Sequence, residues 1–149
     1  MLEAVNPTMT SAAALFDKHG VHAHKDPEAG IACSSGSLGC GITIAVGFAL
    51  ANPDKHVYVL CSDGESAEGS VWESLNFIHQ RKLSNISVYV NLNGYAAYDE
   101  VDEDNLEARL KAFLPGICVR RTRDATHFEG VTGVLCHYHV MKQAPSELK

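Results

Sequence analysis

The order of elements along the sequence predicts an α/β fold, a doubly wound parallel sheet with helices on both faces. Three observations carry that reading. Two short, nearly continuous apolar runs rich in β-formers, residues 56–61 and 86–90, each end in a polar turn. Between them Val71, Trp72, Leu75 and Ile78 recur at spacings of three and four, the mark of a helix with one apolar face. The alternation then continues downstream, and strand, helix, strand, helix, strand is the pattern of parallel strands joined by right-handed crossovers.

Taken in order, residues 10–18 predict a short helix ending at Gly20, followed by a polar loop from His19 to Glu28 that holds His19, His22 and His24. Gly36-Ser37-Leu38-Gly39-Cys40-Gly41 leads into an apolar helix over 42–51, closed by Asn52-Pro53-Asp54. Its hydrophobicity on all sides implies burial against a sheet or another subunit. The run 56–61 reads as a strand covered on both faces and enters the turn Ser62-Asp63-Gly64, before a helix over about 67–80. The strand 86–90 ends at Asn91-Leu92-Asn93-Gly94, and residues 102–113 read as an amphipathic helix stopped by Pro115-Gly116. Residues 117–121 and 131–140 predict a third and a fourth strand. No internal repeat or linker interrupts the 149 residues, which are read as a single domain, 1–149.

The charge of −6, from 12 Lys and Arg against 18 Asp and Glu, removes the attraction a nucleic acid or an anionic membrane would exert, so neither is expected as a partner. No stretch is long and apolar enough to predict a membrane span, and no secretory leader is read at the start. Five cysteines without paired spacing fit reduced thiols, and a cytoplasmic location is expected. His137 and His139 alternate on the last predicted strand and read as packing residues. Together with Cys136 their spacing fits no closed zinc site.

In open α/β sheets ligands bind beyond the carboxyl ends of the strands. Asp63 and Asn93 occupy two such ends, on strands expected to be neighbours, so their side chains are predicted to converge. A carboxylate and an amide carbonyl are hard oxygen donors, suited to Mg²⁺ or Ca²⁺ and not to a thiolate metal centre. Magnesium sites that recruit phosphates commonly use one or two protein ligands and leave the rest to phosphate and water. Gly64 permits close approach of the backbone, and the following helix directs its positive end to the same place. An acidic chain thereby gains a local site for a diphosphate.

The run from Ser62 to Glu73, Ser-Asp-Gly-Glu-Ser-Ala-Glu-Gly-Ser-Val-Trp-Glu, with Asn93-Gly94 thirty residues after Asp63-Gly64, resembles the GDGExxEGxxWE motif and distant Asn of transketolases. Ser35–Gly41 with Ala45–Ala51 is similar to the family's TGxLGQGxxxAVGMALA entry to a helix. The resemblance covers roughly residues 26–95 and implies the thiamine diphosphate-binding (PP-type) domain found at the N-terminal end of that family, as in the N-terminal subunit of a split transketolase. It implies that Asp63, Asn93 and the backbone carbonyl of Tyr95 hold Mg²⁺. Gly64 meets the diphosphate, Gly36 and Leu38 lie on the aminopyrimidine side, and Glu68 and Glu73 belong to a subunit interface near the cofactor.

Thiamine diphosphate chemistry needs a Glu acting on the aminopyrimidine, and the cofactor serves as electron sink. In the family that Glu comes from a separate pyrimidine domain, so no catalytic residue is assigned in this chain. A partner subunit carrying it is expected, in a homodimer or heterotetramer, for transfer of a ketol or acyl unit. Ser62 replaces the motif's first Gly, and Tyr95–Tyr98 replaces the usual polar continuation. Asp26, in Lys25-Asp26-Pro27-Glu28, stands where transketolases carry a substrate-binding His. These departures keep open a 2-oxo acid decarboxylase or acyl-transfer subunit, and a non-catalytic cofactor-binding module.

Overall fold

The computed structural model describes residues 12–20, 22–96 and 99–122. The predicted strand over 131–140, with Cys136, His137 and His139, and residues Ala97 and Tyr98 lie outside them. The chain divides into two compact units, Met1–Ser37 and Leu38–Lys149. In the first unit, α1 (Ala12–His19) carries Lys18 and His19 in its last turn, where basic groups suit the negative end of the helix dipole. It ends at Gly20, whose φ of 70° takes the chain out of the helix while its N–H donates to the Phe16 carbonyl at 2.7 Å.

The second unit is built on a parallel sheet in the order β1 (Val57–Ser62), β2 (Ile86–Leu92), β3 (Cys118–Arg121), as the alternation of the sequence predicts. The helices are α2 (Cys40–Ala51), α3 (Gly69–Arg81) and α4 (Glu103–Phe113). A 3-10 turn over Glu65–Ala67 precedes α3, so that helix begins at Gly69 and not at 67. Register places Val59 beside Val88, Cys61 beside Val90, and Val90 beside Val119 on one face of the sheet. That face joins Ile42, Val46, Ala49, Val71, Leu75, Leu106 and Leu110 in one apolar core. Burial of these side chains, at roughly 25 cal/mol per Å² of apolar surface, is the main favourable term.

β1 corrects one expectation. It reads from sequence as covered on both faces, yet Tyr58 and Leu60 are 71% and 58% exposed, while Val59 and Cys61 are buried. Neighbouring parallel strands joined by crossovers of one hand place α3 and α4 on the same face, and the ion pairs from Arg121 to Asp104 and Glu107 of α4 agree. The cover that the described helices of this unit provide therefore lies on a single face. The same holds for α2. Ile42, Val46 and Ala49 pack into the core, whereas Ile44, Phe48 and Leu50 face outward, so its all-round hydrophobicity is half used here.

Two polar contacts fix the ends of α2. At its C-terminus the Asn85 amide donates to the carbonyls of Ala49, Asn52 and Lys55 at 2.9, 3.2 and 3.1 Å, joining the last turn of the helix to the loop that follows it. At its N-terminus Gly39 has φ 76°, and its carbonyl accepts from Thr43 Oγ1 and Ser70 Oγ, each at 3.3 Å. A Cβ there would sit 2.5 Å from Ser70 Oγ and 2.8 Å from Glu68 Cβ. Gly39→Ala is expected to lose about 2–4 kcal/mol of stability, from left-handed strain plus overpacking. Urea unfolding checks this, and a change under about 1 kcal/mol would contradict the close approach.

Burial pushes the Cys61 thiol up to about 12, with the Glu65 carboxylate adding to it, so this cysteine is an inert core residue.

Candidate functional site

Asp63 follows β1 directly, and its N–H extends the ladder by donating to the Asn91 carbonyl at 3.2 Å. The side chain is only 2% exposed. Its Oδ2 accepts from the backbone N–H groups of Asn93, Gly94 and Tyr95 at 2.9, 2.8 and 3.2 Å, and Oδ1 accepts from Gly64 N–H at 3.2 Å. The loop that leaves β2 is thus wrapped around a buried carboxylate. The Tyr95 N–H also donates to Asn93 Oδ1 at 3.0 Å. One N–H shared by both side chains means that the Asp63 and Asn93 oxygens converge, as the sequence predicts. Gly94, at φ 83°, gives the loop the turn it needs.

A buried carboxylate normally carries a counter-charge. Among the described residues Asp63 has no Lys, Arg or His ion partner, and its bonds are all to backbone N–H groups. One carboxylate and one amide oxygen are hard donors, of the kind that holds Mg²⁺ or Ca²⁺ with phosphate. No group of three or more His, Cys, Asp or Glu that would hold a metal occurs among the described residues.

The turn above Asp63 is braced. The Ser62 N–H donates to Glu65 Oε2 at 3.2 Å, and the Trp72 indole donates to the Ser66 carbonyl at 2.9 Å. The Arg109 guanidinium lies 5.2 Å over the Trp72 ring, and Phe113 meets that ring edge-on at 5.0 Å. A cleft of about 270 Å³ opens here, lined by Asp63, Ser66, Glu100, Asp102 and Arg109 among others. By its spacing Trp72 is only a member of an apolar helix face. Its indole N–H bond to the turn had no signal in the spacing, and neither did Arg109, an arginine on a helix otherwise read as amphipathic.

The other expected residues are spread over both units. Gly64 is buried beside Asp63, and Leu38 is exposed at the start of the second unit. Gly36 belongs to the first unit, at φ 110°. Glu68 occupies the N-cap position of α3 without a side-chain cap bond, and both it and Glu73 are exposed.

Asp26 is engaged inside its own unit. Its Oδ2 accepts from Lys18 Nζ at 2.5 Å and from His19 Nε2 at 3.1 Å, and Oδ1 accepts from Ala29 N–H at 3.2 Å. The Lys18 bond is the largest cause holding the Asp26 carboxyl below the ordinary carboxylate value of 3.8, with the Ala29 N–H next, against the opposing effect of burial. A depressed carboxylate stabilises above its ordinary value and loses that contribution as pH falls through the lowered one. Acidification below 3.8 is therefore expected to release this unit and raise amide exchange at Ala29 and Ile31. Asp26→Asn should lack that acid step, and an identical acid profile in both proteins would refute the lock.

A family model described as "Thiamine pyrophosphate enzyme, C-terminal TPP binding domain" matches residues 11–112, well over half of the chain. The chain belongs to the thiamine pyrophosphate enzyme family. Thiamine pyrophosphate is the same compound as thiamine diphosphate. Among curated relatives, a 1-deoxy-D-xylulose-5-phosphate synthase of Fusobacterium nucleatum is 48% identical over 59 residues, covering 40% of this chain and 10% of that protein. A 6-deoxy-6-sulfo-D-fructose transketolase subunit of a Clostridium species is 36% identical over 92 residues, 56% of this chain and 34% of the relative. An apulose-4-phosphate transketolase subunit of Actinobacillus succinogenes is 35% identical over 99 residues, 60% of this chain and 35% of the relative. The chain thus spans about a third or less of these relatives. The parallel α/β sheet agrees with the thiamine pyrophosphate enzyme assignment, and no helix among the described residues is long and apolar enough to cross a membrane.

Proposed function

We propose that this chain is the diphosphate-binding half of a transketolase-like enzyme, with thiamine diphosphate anchored through a divalent cation, Mg²⁺ or Ca²⁺, at Asp63, Asn93 and the Tyr95 carbonyl. The observation that carries this reading is the single Tyr95 N–H shared by Asp63 Oδ2 and Asn93 Oδ1, which brings two hard donors together at the carboxyl ends of adjacent parallel strands. Gly64 lets the diphosphate approach the backbone, and Gly36 and Leu38 take the pyrimidine side. Glu68 is assigned to the cofactor-side subunit interface.

When bound, the cofactor supplies an electron sink for cleavage of a carbon–carbon bond beside a carbonyl. This chain's part is to hold and orient the diphosphate and to neutralise its charge through the metal. The acid that activates the pyrimidine comes from a second polypeptide, the C-terminal half of a split transferase, in a homodimer or heterotetramer. Two relatives named as transketolase subunits support that arrangement. The assembly works in the cytoplasm, with the chain as one domain.

A second reading concerns the substrate. Asp26 replaces the sugar-binding His of transketolases and is spent on Lys18 and His19. That favours a 2-oxo acid or other acyl donor over a ketose phosphate. Calorimetry of the full chain with thiamine diphosphate is expected to show binding only when Mg²⁺ or Ca²⁺ is present. Product analysis after reconstitution with a pyrimidine-domain subunit then separates ketol transfer from decarboxylation. Cofactor binding without turnover in every reconstitution would leave a non-catalytic module.

A further inference from the structure

The turn that carries Asp63 is held by a bond from the helix that follows it, within the second unit alone. Ser66 is buried in this turn and bonds in three directions. Its N–H donates to the Asp63 carbonyl at 3.0 Å, its Oγ donates to the Ser62 carbonyl at 3.4 Å, and its own carbonyl accepts from the Trp72 indole at 2.9 Å. The first two bonds lie inside the turn. Of the three, only the Trp72 bond reaches it from α3.

The indole is placed in turn by α4. The Arg109 guanidinium lies 5.2 Å over its ring, and the Phe113 ring meets it edge-on at 5.0 Å, contacts that favour one ring orientation. The segment that leads into α4 supplies the other side of the site. Residues 93–95 wrap the Asp63 carboxylate, and the Val101 N–H donates to the Gly94 carbonyl at 2.9 Å, one residue before the α4 N-cap Asp102. Both turns that meet at Asp63 are therefore referred to α4, one through its leading loop and the other through Trp72.

We propose that Trp72 is a positioning residue for the metal–diphosphate anchor. By holding the Ser66 carbonyl it fixes the turn that presents Asp63 and Gly64, at a spacing from residues 93–95 that α4 sets. The assignment rests on the reading of Asp63 and Asn93 as that anchor, and adds to it the side chain that keeps the two turns in register. A bond that favours the ligand-ready turn is itself favoured by the ligand, because coupled equilibria are reciprocal.

The test uses the full chain, in which Trp72 is the single tryptophan and gives one indole N–H resonance. Two probes, inorganic diphosphate with Mg²⁺ and thiamine diphosphate with Mg²⁺, share the metal end. Trp72→Phe keeps a ring for Arg109 and Phe113 and removes the donor. It is expected to weaken both probes by the same factor, about fivefold, the reach of one hydrogen bond. Leu83→Ala, just past the far end of α3 and packed on the core, is the control. It should lose urea stability and bind both probes as the wild type does. In the wild-type chain, hydrogen exchange of the indole N–H should slow by about the same factor of five when either probe saturates the site. Trp72→Phe affinities within about twofold of wild type, an equal loss of affinity in Leu83→Ala, or indole exchange that saturation leaves unchanged would each overturn this proposal alone. A wild-type chain that binds neither probe removes the anchor itself, and the proposal with it.

Discussion

Replacing Asp63 by alanine is expected to abolish metal-dependent binding of thiamine diphosphate and to destabilise the second unit in the same step. The carboxylate is 2% exposed and takes four backbone N–H groups, three of them from the loop that carries Asn93. Hydrogen bonds to an ionised acceptor contribute about 1.5–3 kcal/mol each, and buried donors left without a partner carry their full desolvation cost. Bonds sharing one acceptor are not additive, so a loss on the order of 3–5 kcal/mol is expected. Asp63→Asn separates the two effects. It keeps a neutral acceptor of the same shape and should retain part of the stability, while the lost charge removes most of the metal affinity. Calorimetry with Mg²⁺ and thiamine diphosphate reads binding, and urea unfolding reads stability. Unchanged cofactor affinity in Asp63→Ala would sink the proposed site.

The second large effect concerns the C2 proton of the bound cofactor. The isolated chain is expected to leave C2 exchange at the rate of free thiamine diphosphate. Addition of a pyrimidine-domain subunit with its Glu should accelerate exchange by about 10²–10⁴, the usual reach of a positioned acid or base. Among the described residues, Glu65 is held by the Ser62 N–H, and Glu100 and Asp102 line the same cleft as Asp63. Asp102 is occupied as the N-cap of α4, accepting from the Asn105 N–H at 3.0 Å. Proton exchange measured by NMR with the isolated chain, at any rate above the free cofactor, would show an activating acid within this chain and would make the partner unnecessary for that step.

The convergence of Asp63 and Asn93, on which the proposed anchor rests, was legible in the sequence because it depends on chain order. Asp63 and Asn93 each stand just past an apolar run, and strands joined by one crossover become neighbours, so convergence follows from chain order. Among the described residues, strand and helix positions emerged within one or two residues for the same reason, since the period of the apolar pattern reports the element directly. α3 begins two residues later than the apolar spacing predicts because a 3-10 turn over Glu65–Ala67 precedes it.

The engagement of Asp26 was not legible. Asp26 looks like a substituted substrate residue, and nothing in Lys25-Asp26-Pro27-Glu28 shows that Lys18 and His19 will reach it from α1. The exposure of Tyr58 and Leu60 was hidden for a related cause. An apolar run reports that a strand is suited to burial on both faces, while the placement of helices decides which face is covered.

By itself the sequence determined the α/β alternation, the parallel sheet and the placement of Asp63 and Asn93 at adjacent strand ends, because local periodicity and chain order are enough to specify them. Only the tertiary structure decided that the Asp63 carboxylate is itself the post around which residues 93–95 are wound, and that Asp26 is bound to Lys18 and His19. Those facts depend on which donors reach which acceptors across the fold, and pairings between distant residues leave no periodic trace in the chain.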